Sequence, residues 1–178
     1  MASLGERMIG AMKADVATFE EIERDPTALG QAVTVIVLAG VAALIGNLFR
    51  AGISAGVFAL IISLIGYAVW AVMVTIIGTK LMPEPTTKAD FAETFRTIGF
   101  AASPGIFNVL AIIPFLGPLI SFIISIWSLI IMVIAVRTAL DYTSTGRAVI
   151  VVLIGFIIYL CVWAMLTVMF FGASMMFG

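Results

Sequence analysis

Charge is missing from four long stretches of this chain, residues 26–49, 51–79, 97–136 and 148–178. A helix needs roughly 20 mostly apolar residues to cross a hydrocarbon core ~30 Å thick. The first, second and fourth stretches each fit one crossing, with cores at 32–48, 57–77 and 149–171. The third is too long for one, and it is punctuated at Pro114-Phe115-Leu116-Gly117-Pro118. Two prolines around a glycine remove backbone donors and break an α-helix. That predicts a hairpin with helices over 98–113 and 119–138. The fold class expected is therefore an all-α integral membrane protein. It has five transmembrane helices, the third and fourth forming a Pro/Gly hairpin, plus an N-terminal amphipathic helix. Barrel strands would show short alternating runs, and these runs are long and apolar all round.

Composition agrees and excludes the alternatives. Of the 178 residues, 63% are hydrophobic and 11% charged, against about 25% charged in an ordinary soluble domain. Such a chain cannot present a mixed, charged exterior to water. With 9 basic and 10 acidic residues, the chain lacks the clustered excess of Lys and Arg that a nucleic-acid partner requires. The one cysteine, Cys161, has no partner within the chain for a disulfide and is expected to be a small packing residue.

The weak member is the third segment. Sixteen α-helical residues span only about 24 Å, and Pro104-Gly105 interrupts them. The pair of segments either crosses fully or dips in and returns; full crossing is the favoured reading. For orientation, the N-terminus, the loop after the second segment and the loop after the fourth carry Arg7, Lys13, Arg24, Lys80, Lys88, Arg96, Arg137 and Arg147. The other side carries Arg50 alone. That bias predicts a cell-membrane protein with a cytoplasmic N-terminus and an outer C-terminus. Residues 1–25 contain no apolar run of signal-peptide type, so the first span is expected to act as an uncleaved signal. The division expected is a cytoplasmic helical unit over 1–25 and a transmembrane domain over 26–178.

At the cytoplasmic side, Leu4, Met8, Met12, Val16, Phe19 and Ile22 recur at helical spacing and predict one amphipathic helix over residues 4–22. Asp25-Pro26 ends it. Between the second and third segments, Pro83 and Pro85 block a helix, and Thr87 is the N-cap candidate, with Asp90 three residues on. Phe91, Phe95 and Ile98 then continue as a short interfacial helix, either a docking surface for the N-terminal helix or a connector with aromatic anchors. Arg96, Arg137 and Arg147 are candidates for contact with a lipid headgroup or another ligand, or else topology anchors.

Inside the spans no Asp, Glu, Lys or Arg is found, and histidine is absent from the chain. This argues against a coupled pump and against imidazole-based nucleophile or metal sites. No nucleotide-binding or zinc-protease motif is present, so no catalytic residue, metal or cofactor is expected. Gly117, Ser121, Ser125 and Ser128 form a small-residue stripe on one face of the fourth segment, suited to packing inside the bundle or against another subunit. Ala39, Ala43 and Gly46 form a weaker one in the first span. Asn108 is the most polar intramembrane side chain. It is placed either to meet backbone carbonyls freed at Pro104 or to touch a substrate or lipid. Trp70, Trp127, Trp163, Tyr67 and Tyr159 are expected to be packing or interface residues.

Several ordered segments resemble the YIP domain family: Phe-Glu-Glu-Ile-Glu-Arg-Asp-Pro (19–26), Phe-Arg-Thr-Ile-Gly-Phe-Ala-Ala-Ser-Pro (95–104), Ile-Pro-Phe-Leu-Gly-Pro-Leu-Ile (113–120), Ile-Trp-Ser-Leu (126–129), Val-Arg-Thr-Ala-Leu (136–140) and Gly-Arg-Ala (146–148). The resemblance implies five spans and a cytoplasmic N-terminus. Eukaryotic members are non-enzymatic partners of small GTPases in membrane traffic. This chain has no Asp-Leu-Tyr-Gly-Pro and a short N-terminal region, so it looks more like the prokaryotic branch, and GTPase binding does not carry over. The function expected is a scaffold or accessory subunit for other membrane proteins or for a second copy of the chain. The alternative is a small permease, channel or lipid-handling protein with a pathway near the broken third segment.

Overall fold

A computed structural model describes residues 2–177, with side chains through Cys161. The described chain folds into helices α1 (Leu4–Met12), α2 (Val16–Arg24), α3 (Ala28–Gly46), α4 (Leu48–Ile76), α5 (Phe91–Phe100), α6 (Gly117–Ala139) and α7 (Thr145–Phe177). A π turn, Ile77–Leu81, extends α4, and a 3₁₀ helix, Ser103–Ile112, follows α5. Among the described residues, four helical segments are long and apolar enough to cross a membrane: Ala28–Gly46, Leu48–Leu81, Phe91–Ile112 and Gly117–Ala139. The described side chains of α7 continue the apolar pattern over Thr145–Cys161. The C-terminal part of the last predicted span, with Trp163, lies outside the described side chains.

The N-terminal segment is two helices rather than one. Ala14 turns into the left-handed region (φ 56°), and the Asp15 side chain caps α2 by accepting from the Thr18 N–H. Because the two helices fold back as a hairpin, Met8 and Ala11 from α1 meet Phe19 and Ile22 from α2 in the same core as the long helices. Side-chain periodicity survives such a fold-back, so the spacing of apolar residues did not reveal the break.

The third segment is the most enclosed of the four. Of its most apolar window, 61% is buried, against 28% for α3, 11% for α4 and 22% for α6. Its N-cap is Asp90, not Thr87: the Asp90 carboxylate accepts from the Glu93 N–H while Glu93 reaches back to the Asp90 N–H. Thr87 instead accepts from the Glu84 N–H and closes the preceding turn. The α-helix ends at Ala101-Ala102, and the buried Pro104 stands in the first turn of the 3₁₀ helix, where a missing N–H costs little. A 3₁₀ helix rises about 2.0 Å per residue rather than about 1.5 Å, so ten such residues gain roughly 5 Å of reach. The chain adds reach to its broken segment by changing helix type.

Small residues admit this segment. Gly99 packs on Ala32, Gly105 on Ala39, and Gly46 on the Asn108 main-chain oxygen. On α3 these partners, Ala32, Ala39 and Gly46, recur every seven residues and form one seam that lets backbones approach closely. At that end of the molecule the first turn falls at Asn47, followed by a kink at Gly52 (φ 76°), rather than over the predicted 51–56. The second turn holds Pro114 and, with φ 65°, a 98% exposed Phe115. Pro118 opens α6 within its first turn. The Arg50 guanidinium lies over the buried Gly117, so both turns share one end.

Candidate functional site

The opposite end gathers the hairpin, the loop between α4 and α5, and the loop between α6 and α7. Arg7 is its hub, with a side chain only 1% exposed. Its Nε and Nη2 donate to the two Glu21 oxygens at 2.9 and 2.5 Å, Nη2 also meets Asp25, and Nη1 donates to Gln31 Oε1 at 2.8 Å. A planar guanidinium can hold three elements at once in this way because its donors form a rigid fork. The hydrogen bond to Glu21 raises the Arg7 pKa further, burial opposing it. Asp25 is held down to about 2, first by the Thr27 hydroxyl and then by Arg7.

Arg96, on α5, is buried and donates from Nη2 to the Glu23 main-chain oxygen in the last turn of α2, where a cation also favours the helix dipole. Its Nε has no partner among the described residues. The α5 helix, with Phe91 and Phe95 stacked at a tilt, thus seats the hairpin. From α6, Trp127 Nε1 donates to the Met12 main-chain oxygen at the end of α1 (2.9 Å), and its ring stacks on Phe107 of the 3₁₀ helix.

The two loops are fastened to each other. Glu84 accepts from the Thr143 N–H at 2.9 Å and hydroxyl at 2.8 Å, and pairs with Arg147 Nε at 3.3 Å. The same contacts, the Thr143 N–H foremost, lower its pKa. The Tyr142 hydroxyl donates to the Met82 oxygen at 2.8 Å, and Thr86 donates to the Asp141 oxygen. Arg147 Nη1 also reaches the Pro83 oxygen. Arg137 closes its own loop through the Tyr142 and Thr143 oxygens and the Thr145 hydroxyl.

Between α2 and the ends of α5 and α6 lies a cleft of about 490 Å³. Its lining mixes the carboxylates Glu20, Glu23, Glu93 and Asp141 with the cations Arg24, Lys88 and Arg137. Burial, with Asp141 and Glu93 adding to it, pushes Glu23 up to about 7.

The structure therefore brings Arg96, Arg137 and Arg147 to this one end. Asn108 is half-buried on the 3₁₀ helix, and among the described residues the buried side-chain atoms without a hydrogen-bond partner are Trp70 Nε1 and Arg96 Nε. Of the α6 stripe, Gly117 is buried, Ser121 and Ser128 are half-buried, and Ser125 is exposed, donating to the Phe122 oxygen. Cys161, expected to pack, is exposed. The sequence shows Arg7 only as one of the basic residues of the N-terminal side and gives Tyr142 and Glu84 no part, because partners 14 and about 60 residues away leave no periodic trace. The Asp90–Glu93 pairing was legible as a capping box one turn later than assigned.

The profile of the Yip1 domain matches residues 9–166, nearly the whole chain. The chain belongs to the Yip1 family. The match begins in α1 and ends in α7, so it takes in the hairpin, the third segment and both fastened loops. Family and apolar helices together make this a multi-pass membrane protein. No curated protein and no solved structure matches it.

Proposed function

We propose that this Yip1-family protein is a non-enzymatic scaffold or accessory subunit of the cell membrane, binding membrane partners or a second copy of itself through helix faces. The observation that carries the reading is a division of labour between its surfaces. At the charged end, Arg7, Arg96, Arg137 and Arg147 are all committed to contacts within the chain. On α4, by contrast, Phe58, Ile61, Ile65, Val69 and Val72 are exposed along the length of the helix. That face fits lipid or another transmembrane helix, and the half-open Ser121, Ser125 and Ser128 of α6 offer a second place for close approach.

In this reading the chain crosses five times, α7 being the fifth span. The reach added by the 3₁₀ helix supports a full crossing by the third segment. The placement of all basic residues but Arg50 toward the hairpin supports a cytoplasmic N-terminus and an outer C-terminus. Cross-linking and mass spectrometry in native membranes tests the proposal, with adducts expected on α4 and α6. Purification in native lipid as a monomer with no associated protein overturns it.

One observation favours a second reading, a permease or lipid-handling protein. A discontinuous helix, α-helical to Phe100 and 3₁₀ from Ser103, carries the half-buried Asn108. Flux through reconstituted vesicles that is lost in Asn108→Leu supports it; flux unchanged by that substitution removes the proposed pathway.

A further inference from the structure

We infer that the α1–α2 hairpin thins the bilayer along one flank of the bundle: there, water and the lipid headgroups of the leaflet at the charged end descend to the middle of α6. The decisive feature is the depth of the hairpin. Trp127 stands ten residues after Gly117 and twelve before Ala139, near the midpoint of α6. At ~1.5 Å per residue it lies about 18 Å from the charged end of that helix. Its Nε1 donates to the Met12 main-chain oxygen. Long side chains in a helix lean toward its N-terminus, here away from the charged end. The Trp127 ring also stacks on Phe107, the fifth of the ten 3₁₀ residues. At its base the hairpin reaches Gln31, in the first turn of α3, through Arg7. The two short helices therefore run alongside the spans, and their tip, residues 13–15, lies at mid-depth.

The inward face of the hairpin is apolar, with Met8, Ala11, Phe19 and Ile22 buried in the core. Its outward face is polar. Lys13 and Asp15 are exposed at the tip. A recess of about 480 Å³ carries Glu6, Arg7, Asp15, Thr18 and Glu21 on its walls. Ions that face hydrocarbon at mid-depth are costly, and the bilayer responds by thinning locally and letting water in. The exposed apolar surface has the matching shape. On α6 the exposed large apolar side chains run from Leu119 to Ile130 and stop nine residues before the end of the helix, where α2 packs against it. That band is about 17 Å tall. On α4 such side chains run from Ile53 to Ile76, about 35 Å, enough for a whole hydrocarbon core of ~30 Å. The two flanks thus fit bilayers of unequal thickness. The inference goes beyond the scaffold reading and rests on α6 crossing the membrane.

The test uses the full chain in lipid nanodiscs with Cys161→Ser. Spin labels are placed through Ala17→Cys, exposed at the recess, and through Ile126→Cys, exposed on α6 beside Trp127. Relaxation by oxygen, which concentrates in hydrocarbon, is compared with relaxation by a water-soluble nickel chelate and by nickel held on a chelating lipid headgroup. The label at Ile126 should respond to oxygen above either form of nickel. The label at Ala17 should respond to both forms of nickel above oxygen, and the doubly labelled protein should show the two positions at the separation of neighbouring helices. A label at Ala17 that responds chiefly to oxygen overturns the inference. So does one that responds to none of the three, because another protein then covers the hairpin. A response to the soluble chelate without the headgroup nickel, or a long distance between the two labels, overturns it as well.

Discussion

A Cβ added to Gly46 would stand 1.9 Å from the main-chain oxygen of Asn108. No side-chain rotation relieves that contact, because the obstructing atom belongs to the backbone of the 3₁₀ helix. Gly46→Val should therefore push the third segment off α3 and destabilise the fold by about 1–3 kcal/mol, the usual cost of overpacking. Gly30→Ala, on the same helix with nothing within 4 Å, should be neutral or slightly stabilising. Thermal unfolding of the two variants in one detergent checks the contrast; equal losses would show that the seam is not the reason.

Arg7→Met should be among the most damaging single changes at the charged end. It leaves Glu21 and Asp25, both in contact with water, without their shared cation, and losing hydrogen bonds to a charged group costs about 1.5–3 kcal/mol. Arg7→Lys should recover little of it, since an ammonium cannot reproduce the fork. The same cluster gives an acid limit. Asp25 is held below its ordinary 3.8, so its contribution is present above that value and fades as pH falls through about 2. Limited proteolysis within residues 13–27 against pH reads both effects.

Tyr142→Phe removes the hydroxyl that joins the α6–α7 loop to the Met82 oxygen and should cost about 0.5–1.5 kcal/mol. Glu84→Gln should weaken the same junction, losing the charge on Arg147 and a strong acceptor for Thr143. Because both substitutions act on one fastening, a double-mutant cycle by chemical denaturation should be clearly non-additive.

Phe115 holds a left-handed backbone with its ring in the open, a conformation that costs an L-residue about 1–2 kcal/mol. Phe115→Gly should raise the melting temperature of the detergent-solubilised protein. A lowered one would mean that the exposed ring contributes more to stability than the backbone strain removes.

The long elements were legible because lipid imposes a rule that needs no partner: every backbone group must be satisfied within its own helix, over a fixed length of apolar residues. The charge-free runs thus located α3, α4, α6 and α7, and Pro114–Pro118 located the turn before α6. The break at Ala14 was not legible, since two helices folded together keep the periodicity of one. Nor was the 3₁₀ geometry after Pro104, where the segment lies close against α3 at Gly105 and Asn108.

At the charged end the sequence supplied the inventory of ions and, through their lopsided placement, the side expected to face the cytoplasm. Which ion meets which was decided only when the chain closed. Arg7 meets Glu21 on α2, Gln31 on α3 and Asp25 at the junction between them, Arg147 finds Glu84 across two loops, and Glu23 comes near Asp141 and Glu93. Local pattern fixes what a segment becomes by itself, because helix and span are satisfied within a few turns. Pairing between distant segments depends on packing shape, which the chain acquires only by folding.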